Sequence, residues 1–181
     1  MSFFVEVLAV LYFFVPAYVA NMAPVHVRGV NFFSWPLDFG ATLRGKPLFG
    51  ANKTWRGLLV GVAAALAVFF VQQLLFFYGF LHSLAFIDYS RVHVLLGAAI
   101  GLGALIGDAL ESAVKRQLGI GPGQRFFFWD QMDFMLGALF VTIPYWLSSW
   151  VVVLVALVAI FVINVLVQRV AYLVGLKSDP L

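Results

Sequence analysis

Residues 57–80 read GLLVGVAAALAVFFVQQLLFFYGF, a stretch with no charged side chain. A helix needs about 20 mostly apolar residues to cross the hydrocarbon core of a bilayer, and this run supplies them. Four further windows of the same character flank it: 3–24, 92–107 with a polar extension beyond, 134–147 and 150–174. The composition agrees, with 64% hydrophobic and only 10% charged residues and a mean hydropathy of +1.02, a balance that a soluble core of 181 residues has no means of burying. The expected fold is all-α, a polytopic membrane protein with about five transmembrane helices. Residues 1–181 are expected to form one membrane-embedded domain, because no soluble domain of ordinary size fits between the spans.

The first window has no basic leader, carries Glu6 and outlasts an ordinary signal-peptide core, so it is expected to stay in the protein as a span. With the N-terminus outside and the C-terminus inside, ten of the eleven basic residues fall on one face. Arg28, Arg44, Lys46, Lys53 and Arg56 lie in an inner loop spanning 25–56, and Lys115, Arg116 and Arg125 in a second loop spanning 113–130. Arg169 and Lys177 lie in the tail, and only Arg91 lies outside. That is the positive-inside pattern of a cell-membrane protein, and it puts the polar loops in the cytoplasm, where nucleoside triphosphates are. The net charge of +3 is thus explained by topology, and no nucleic-acid partner is expected. The absence of cysteine excludes disulfide scaffolds, thiolate metal sites and cysteine nucleophiles.

The first inner loop is broken by Pro24, Pro36 and Pro47 and by Gly29, Gly40, Gly45 and Gly50, which predicts turns in a lid or clamp. Gly57/Gly61, Gly97/Gly101 and Gly103/Gly107 have the small-xxx-small spacing that lets helices approach closely in lipid. The three histidines are far apart in sequence and make a histidine metal site improbable. Twenty phenylalanines and five tryptophans read as lipid-facing and interfacial residues.

The chemistry is expected where the third window ends. In Gly107-Asp108-Ala-Leu-Glu111-Ser112-Ala-Val-Lys115-Arg116 a continuing helix puts Asp108, Glu111, Ser112 and Lys115 at i, i+3, i+4 and i+7, on one face. A solvated helix end with an internal ion pair is the plain alternative. The fourth window opens with Asp130-Gln131-Met132-Asp133, two carboxylates a turn apart at a helix start, which the helix dipole alone would explain. The glycine loop between the windows, however, brings Asp108 to the Asp130/Asp133 pair. Three converging carboxylates repel unless neutralised, and hard divalent cations with oxygen ligands are the usual solution, so Mg2+ is the expected cofactor. Magnesium that shares itself with phosphate oxygens points to phosphoryl or nucleotidyl transfer. Asn52-Lys53-Thr54-Trp55-Arg56-Gly57, with Lys115, Arg116 and Arg125, adds cations and donors at the same depth, enough to hold a triphosphate.

At these residues the sequence resembles the phosphatidate cytidylyltransferase superfamily. The resemblance rests on Lys53-Thr54-Trp55-x-Gly57, then Gly107-Asp108-x-x-Glu111-Ser112-x-x-Lys115-Arg116, a glycine loop, and Asp130-x-x-Asp133. The stretch Phe49-Gly50-Ala51-Asn52-Lys53-Thr54-Trp55-Arg56-Gly57 makes it most similar to the archaeal branch, CDP-archaeol synthase, over nearly the whole chain. The resemblance implies condensation of CTP with 2,3-bis-O-(geranylgeranyl)-sn-glycerol 1-phosphate, giving a CDP-activated ether lipid and pyrophosphate. Asp130-Gln131 replaces the Asp-Arg of the diacylglycerol branch, and Gly121-Pro122-Gly123-Gln124 replaces a Pro-Gly-His-Gly-Gly run; both changes leave the metal scheme intact and fit a different lipid acceptor.

On this reading Asp108, Asp130 and Asp133 hold the metal, and Lys53, Lys115 and Arg116 act with Asp108 as catalytic residues that offset charge as pyrophosphate leaves. Asn52, Thr54, Arg56, Glu111 and Ser112 contact the nucleotide or orient the metal ligands. The partners expected are CTP, a lipid phosphate with isoprenoid chains and the bilayer itself; oligomeric state is open, a homodimer included. Two alternatives stand beside this reading: a phosphatidate-type enzyme acting on ester lipid, and a membrane transporter. The transporter reading is disfavoured because the ionisable residues lie at the inner boundary and not at midplane. A CDP-alcohol phosphotransferase lacks its Asp-Gly-x-x-Ala-Arg opening here.

Overall fold

A computed structural model describes residues 2–121, 124, 126, 129–146 and 150–173. Among them the helices are α1 (Phe3–Phe13), α2 (Val15–His26), α3 (Trp55–Phe77), α4 (Leu95–Gln117), α5 (Asp133–Val141), α6 (Ile143–Trp146) and α7 (Trp150–Leu173). A two-stranded antiparallel hairpin, β1 (Thr42–Leu43) with β2 (Lys46–Pro47), interrupts the connection from α2 to α3. Three stretches are long and apolar enough to cross a membrane, Phe3–His26, Trp55–Phe77 and Leu95–Gln117, and a shorter apolar helix covers Trp150–Leu166. The chain is therefore a largely helical, multi-pass membrane protein.

Helix α4 is the axis of the bundle, packed on α3 along one side and on α5 along another, with α2 lying across both α3 and α4. The glycine spacing of α4 explains the arrangement. Gly97 and Gly101 lie against Phe69 and Ala65 of α3, while Gly103 and Gly107 lie against the backbone of Gly137 and Asp133 of α5. Without a hydrophobic driving force between helices in lipid, close backbone approach and dispersion contacts hold such pairs together. The contact at Gly107 also sets Asp133 beside the turn of α4 that carries Asp108.

The first window is not one continuous helix. It breaks at Phe14, because Pro16 has no N–H to offer the Tyr12 carbonyl four residues earlier. A backbone N–H of the turn at Phe14 serves this carbonyl, and Gln72 of α3 adds a second donor, its Nε2 giving a 2.6 Å hydrogen bond to the Tyr12 oxygen. Pro24 repeats the effect one helix later and does not end it, since α2 runs on to His26. The Ala20 carbonyl that Pro24 leaves unserved faces Gly61, where a Cβ would stand 2.7 Å from the oxygen.

The fourth window also divides: α5 ends at Val141, Thr142 turns its hydroxyl back onto the Ala138 carbonyl at 2.8 Å, and Pro144 sits inside the short α6. Nine residues of α5 rise only about 14 Å, less than half a bilayer core.

Candidate active site

Four helix ends meet around one cavity of about 580 Å3: the C-terminal ends of α2 and α4 and the N-terminal ends of α3 and α5. As the spacing predicts, α4 continues as helix through Asp108, Glu111, Ser112 and Lys115, and all four line the cavity. Asp130 and Asp133 line it from the other side. Their placement corrects one expectation. Asp133 opens α5, whereas Asp130 lies ahead of it in a 3-10 turn, Trp129–Gln131, where its Oδ2 accepts from the Phe126 N–H at 2.9 Å.

Two lysines join the elements across this cavity. Lys53, just before α3, donates to Asp108 Oδ2 at 2.5 Å. Lys115 donates to Asp130 Oδ1 at 2.8 Å, and its Nζ lies 3.5 Å from Glu111 Oε1. Both pairs are largely shielded from water, so each charge depends on its partner. Burial acts to raise the Asp130 pKa, but hydrogen bonding with Glu111, the Lys115 ammonium and the Phe126 amide outweighs it and holds the carboxyl below its ordinary value. Asp133 is buried and accepts from its own neighbour's N–H, Phe134, at 2.7 Å.

The donor set suits a hard cation. Asp108, Glu111, Asp130 and Asp133 supply carboxylate oxygens to one cavity, and Glu111 Oε1 is buried with the Lys115 ammonium 3.5 Å away. Among the described residues, though, no three acidic or histidine side chains close on a common point as a ready-made ligand set. Three of the carboxylates, Asp108, Glu111 and Asp130, instead meet lysine ammonium groups.

The second-rank candidates divide by what they touch. Thr54 is the N-cap of α3, its Oγ1 accepting from the Gly57 N–H at 3.2 Å. Arg56 is buried and donates from Nη1 to the Val30 carbonyl, fastening the preceding segment to α3. Arg116 donates from Nη1 to the Ile120 carbonyl and packs against Gly50. Asn52 is exposed and Ser112 buried, both at the cavity wall. Arg125 and Lys177 lie outside the described residues.

The segment between α2 and α3 is more ordered than its prolines and glycines suggest. Residues 33–37 run antiparallel to 53–56, with Leu37 N–H donating to the Lys53 carbonyl at 2.7 Å, Trp55 to Trp35 at 3.1 Å and Arg56 to Phe33 at 2.7 Å. Asp38 then ties the loop to itself: its carboxylate accepts from the N–H groups of Gly40, Phe49 and Gly50 at 3.0, 2.8 and 3.2 Å. Burial tends to raise the Asp38 pKa, but the amides of Phe49, Gly40 and Gly50 outweigh it and lower the value. The hairpin is pinned to the end of α4 by Lys46, whose Nζ donates to the Gln117 carbonyl at 2.7 Å. Asp38 and Lys46 carry no site role in the sequence reading. An Asp two residues before Gly40 is the one local signal of such a turn.

Residues 3–181 match the CarS-like family model, described as CDP-archaeol synthase. The chain belongs to the CDP-archaeol synthase family. The CDP-archaeol synthase of Pyrococcus furiosus is 36% identical over 175 residues, covering 96% of this chain and 98% of that protein. That of Aeropyrum pernix is 37% identical over 178 residues, covering 97% and 92%. A solved structure of an intramembrane enzyme for archaeal membrane lipids biosynthesis is similar to the fold with a TM-score of 0.67 at 34% identity, over 87% of this chain and 91% of that one. The match to the CDP-archaeol synthase family covers the segments 25–56 and 113–130 and every helix that bounds the cavity.

Proposed function

We infer that the chain is a cytidylyltransferase that condenses CTP with an isoprenoid glycerol ether phosphate, releasing pyrophosphate and a CDP-activated lipid. Family membership supports the activity, and one observation ties it to this site: carboxylates and ammonium groups from α3, α4 and the start of α5 alternate around a single cavity at one end of an apolar bundle. The proposed topology has five spans, with the N-terminus outside and the cavity facing the cytoplasm of the cell membrane. The bias of ten basic residues to one side supports it.

A phosphate monoester with a second pKa of about 6 is already mostly dianionic near neutral pH, so the lipid nucleophile needs no dedicated base. The protein's task is to position it and to manage charge. Asp108, Asp130 and Asp133 are the residues we propose to hold Mg2+, which when bound neutralises phosphate oxygens and orients them. Lys53 and Lys115, already at the carboxylates, are placed to exchange those partners for phosphate oxygens and to offset the charge that builds up on departing pyrophosphate. Arg116 stands at the rim beside Gly50, where the same charge is accessible. Glu111 and Ser112 line the wall between these groups and Asn52 lies at the mouth, positions from which they orient the nucleotide.

The test is pyrophosphate release by purified protein in detergent, comparing four nucleoside triphosphates, and ether- and ester-linked lipid phosphates, with and without Mg2+. Release dependent on CTP, ether lipid and Mg2+ together is expected. Turnover of CTP without any lipid phosphate, or none under any combination, contradicts the proposal.

A further inference from the structure

The cavity is not uniformly polar. Beside its carboxylates and lysines, Val25 at the end of α2, Leu58 in the first turn of α3 and Leu105 of α4 line it with apolar side chains. Leu105 precedes Asp108 by three residues on α4, so this wall extends about 4.5 Å further along the helix than the carboxylate. One polar side chain is set into it, Asn21 of α2. Asn21 is half-buried, and among the described residues its amide has no hydrogen-bond partner.

The helix face that carries Asn21 is fixed by its neighbours. Tyr18, one turn earlier, packs edge-on against Phe134 with ring centroids 5.0 Å apart, and Phe134 follows Asp133 directly. Asn21, at i+3 from Tyr18, and Val25, at i+7, continue the same stripe into the cavity. The neighbouring residue Ala20 lies against Gly61, which is also where Leu105 approaches. Asn21 is thereby held level with the apolar wall and deeper than the charged groups.

A lipid phosphate whose phosphoryl group lies among the carboxylates and lysines must run its glycerol toward the membrane, along this wall. Glycerol bearing ether chains offers oxygens that accept hydrogen bonds and has nothing to donate. An amide NH2 set in aliphatic surroundings is the matching group. We propose that Asn21, flanked by Val25, Leu58 and Leu105, is the subsite for the glycerol oxygens of the lipid acceptor. This rests on the cytidylyltransferase reading above and adds the residue that selects the acceptor.

The experiment is steady-state kinetics of CDP-lipid formation in mixed micelles, varying lipid phosphate and CTP independently. Asn21→Leu is expected to raise KM for the lipid phosphate about tenfold, the effect of one hydrogen bond left unmade, while KM for CTP and the melting temperature stay within twofold and a few degrees of wild type. Asn21→Ser, which restores a donor, is expected to recover part of the lipid KM. Asn21→Ala provides the same reading if the leucine variant does not fold. A rise in KM for CTP instead, a fall in kcat alone, or an unchanged lipid KM overturns the assignment. Failure of the wild-type protein to form CDP-lipid would overturn the underlying reading, a result distinct from all three.

Discussion

The two ends of α3 and α4 use polar side chains in opposite ways. At the end formed by the C-terminus of α3 and the N-terminus of α4, amide side chains are absorbed by backbone. Gln73 donates to the carbonyls of Tyr89 and Val92 at 3.0 and 2.9 Å, and Gln72 donates to the Tyr12 carbonyl. Tyr89, Phe69 and Phe76 pack around them as an aromatic plug. At the other end the polar groups are charged, they pair with each other across elements, and a cavity separates them. A neutral side chain serving a carbonyl closes structure, whereas an ammonium shared between carboxylates is able to exchange partners. One end is thus built for stability and the other for chemistry, and substitutions should separate the two.

The largest separation is expected at the lysines. Lys53→Met and Lys115→Met should each lower kcat/KM for CDP-lipid formation by about 100-fold or more, the order found when one charge-stabilising donor is lost from an active site. Lys115→Met should also lower the melting temperature, since it leaves Asp130 without its ammonium partner. Retention of near-normal turnover by both variants would remove the lysines from the chemistry.

Gln72→Leu should show the opposite profile. Losing the hydrogen bond to the Tyr12 carbonyl should cost about 1 kcal/mol of stability, in the range for polar side chains bonded within membrane bundles, with kcat unchanged in the folded fraction. A catalytic defect without a stability change would erase the contrast between the two ends.

The smallest effect is expected at the strap over the cavity. Asp38→Asn should raise KM for CTP only a few-fold, by loosening the turn that holds Phe49 and Gly50, because each amide bond it weakens is a modest contribution. The sign of its pH dependence follows from a folded pKa held below the unfolded value. The carboxylate's contribution is complete above about pH 4 and is lost as pH falls through the lowered folded value, so wild type and Asp38→Asn should converge only in acid. Divergence that does not shrink as the pH is lowered into acid would assign the effect to something other than ionisation.

The apolar windows and the glycine spacing make the helices and their contacts readable from sequence, because both depend on composition over one or two turns. The helix breaks are less readable. Pro16 signals one, but that α2 continues through Pro24 depends on Gly61 in another helix lying against the Ala20 carbonyl. The same limit applies to the site. Asp108, Asp130 and Asp133 stand out as acidic residues at the margin of apolar windows. The pairing of Lys53 with Asp108, 55 residues apart, depends on how α3 and α4 dock. Thr54 has the position of an N-cap ahead of an apolar run, yet its signature is equally that of a donor beside a phosphate. Asn21 has no signature at all, because one amide in an apolar window gains meaning only when α2 is seen to face α5.

Carboxylates from α4 and from the approach to α5 are proposed to serve one divalent cation and one triphosphate. Magnesium-dependent pyrophosphate release from CTP and ether lipid phosphate by Asp108→Asn, Asp130→Asn and Asp133→Asn, each confirmed as folded in detergent, tests this most directly. Each substitution is expected to reduce turnover by about 100-fold or more at saturating Mg2+, with a weakened response to the metal. Near-normal magnesium-dependent turnover in all three would contradict it.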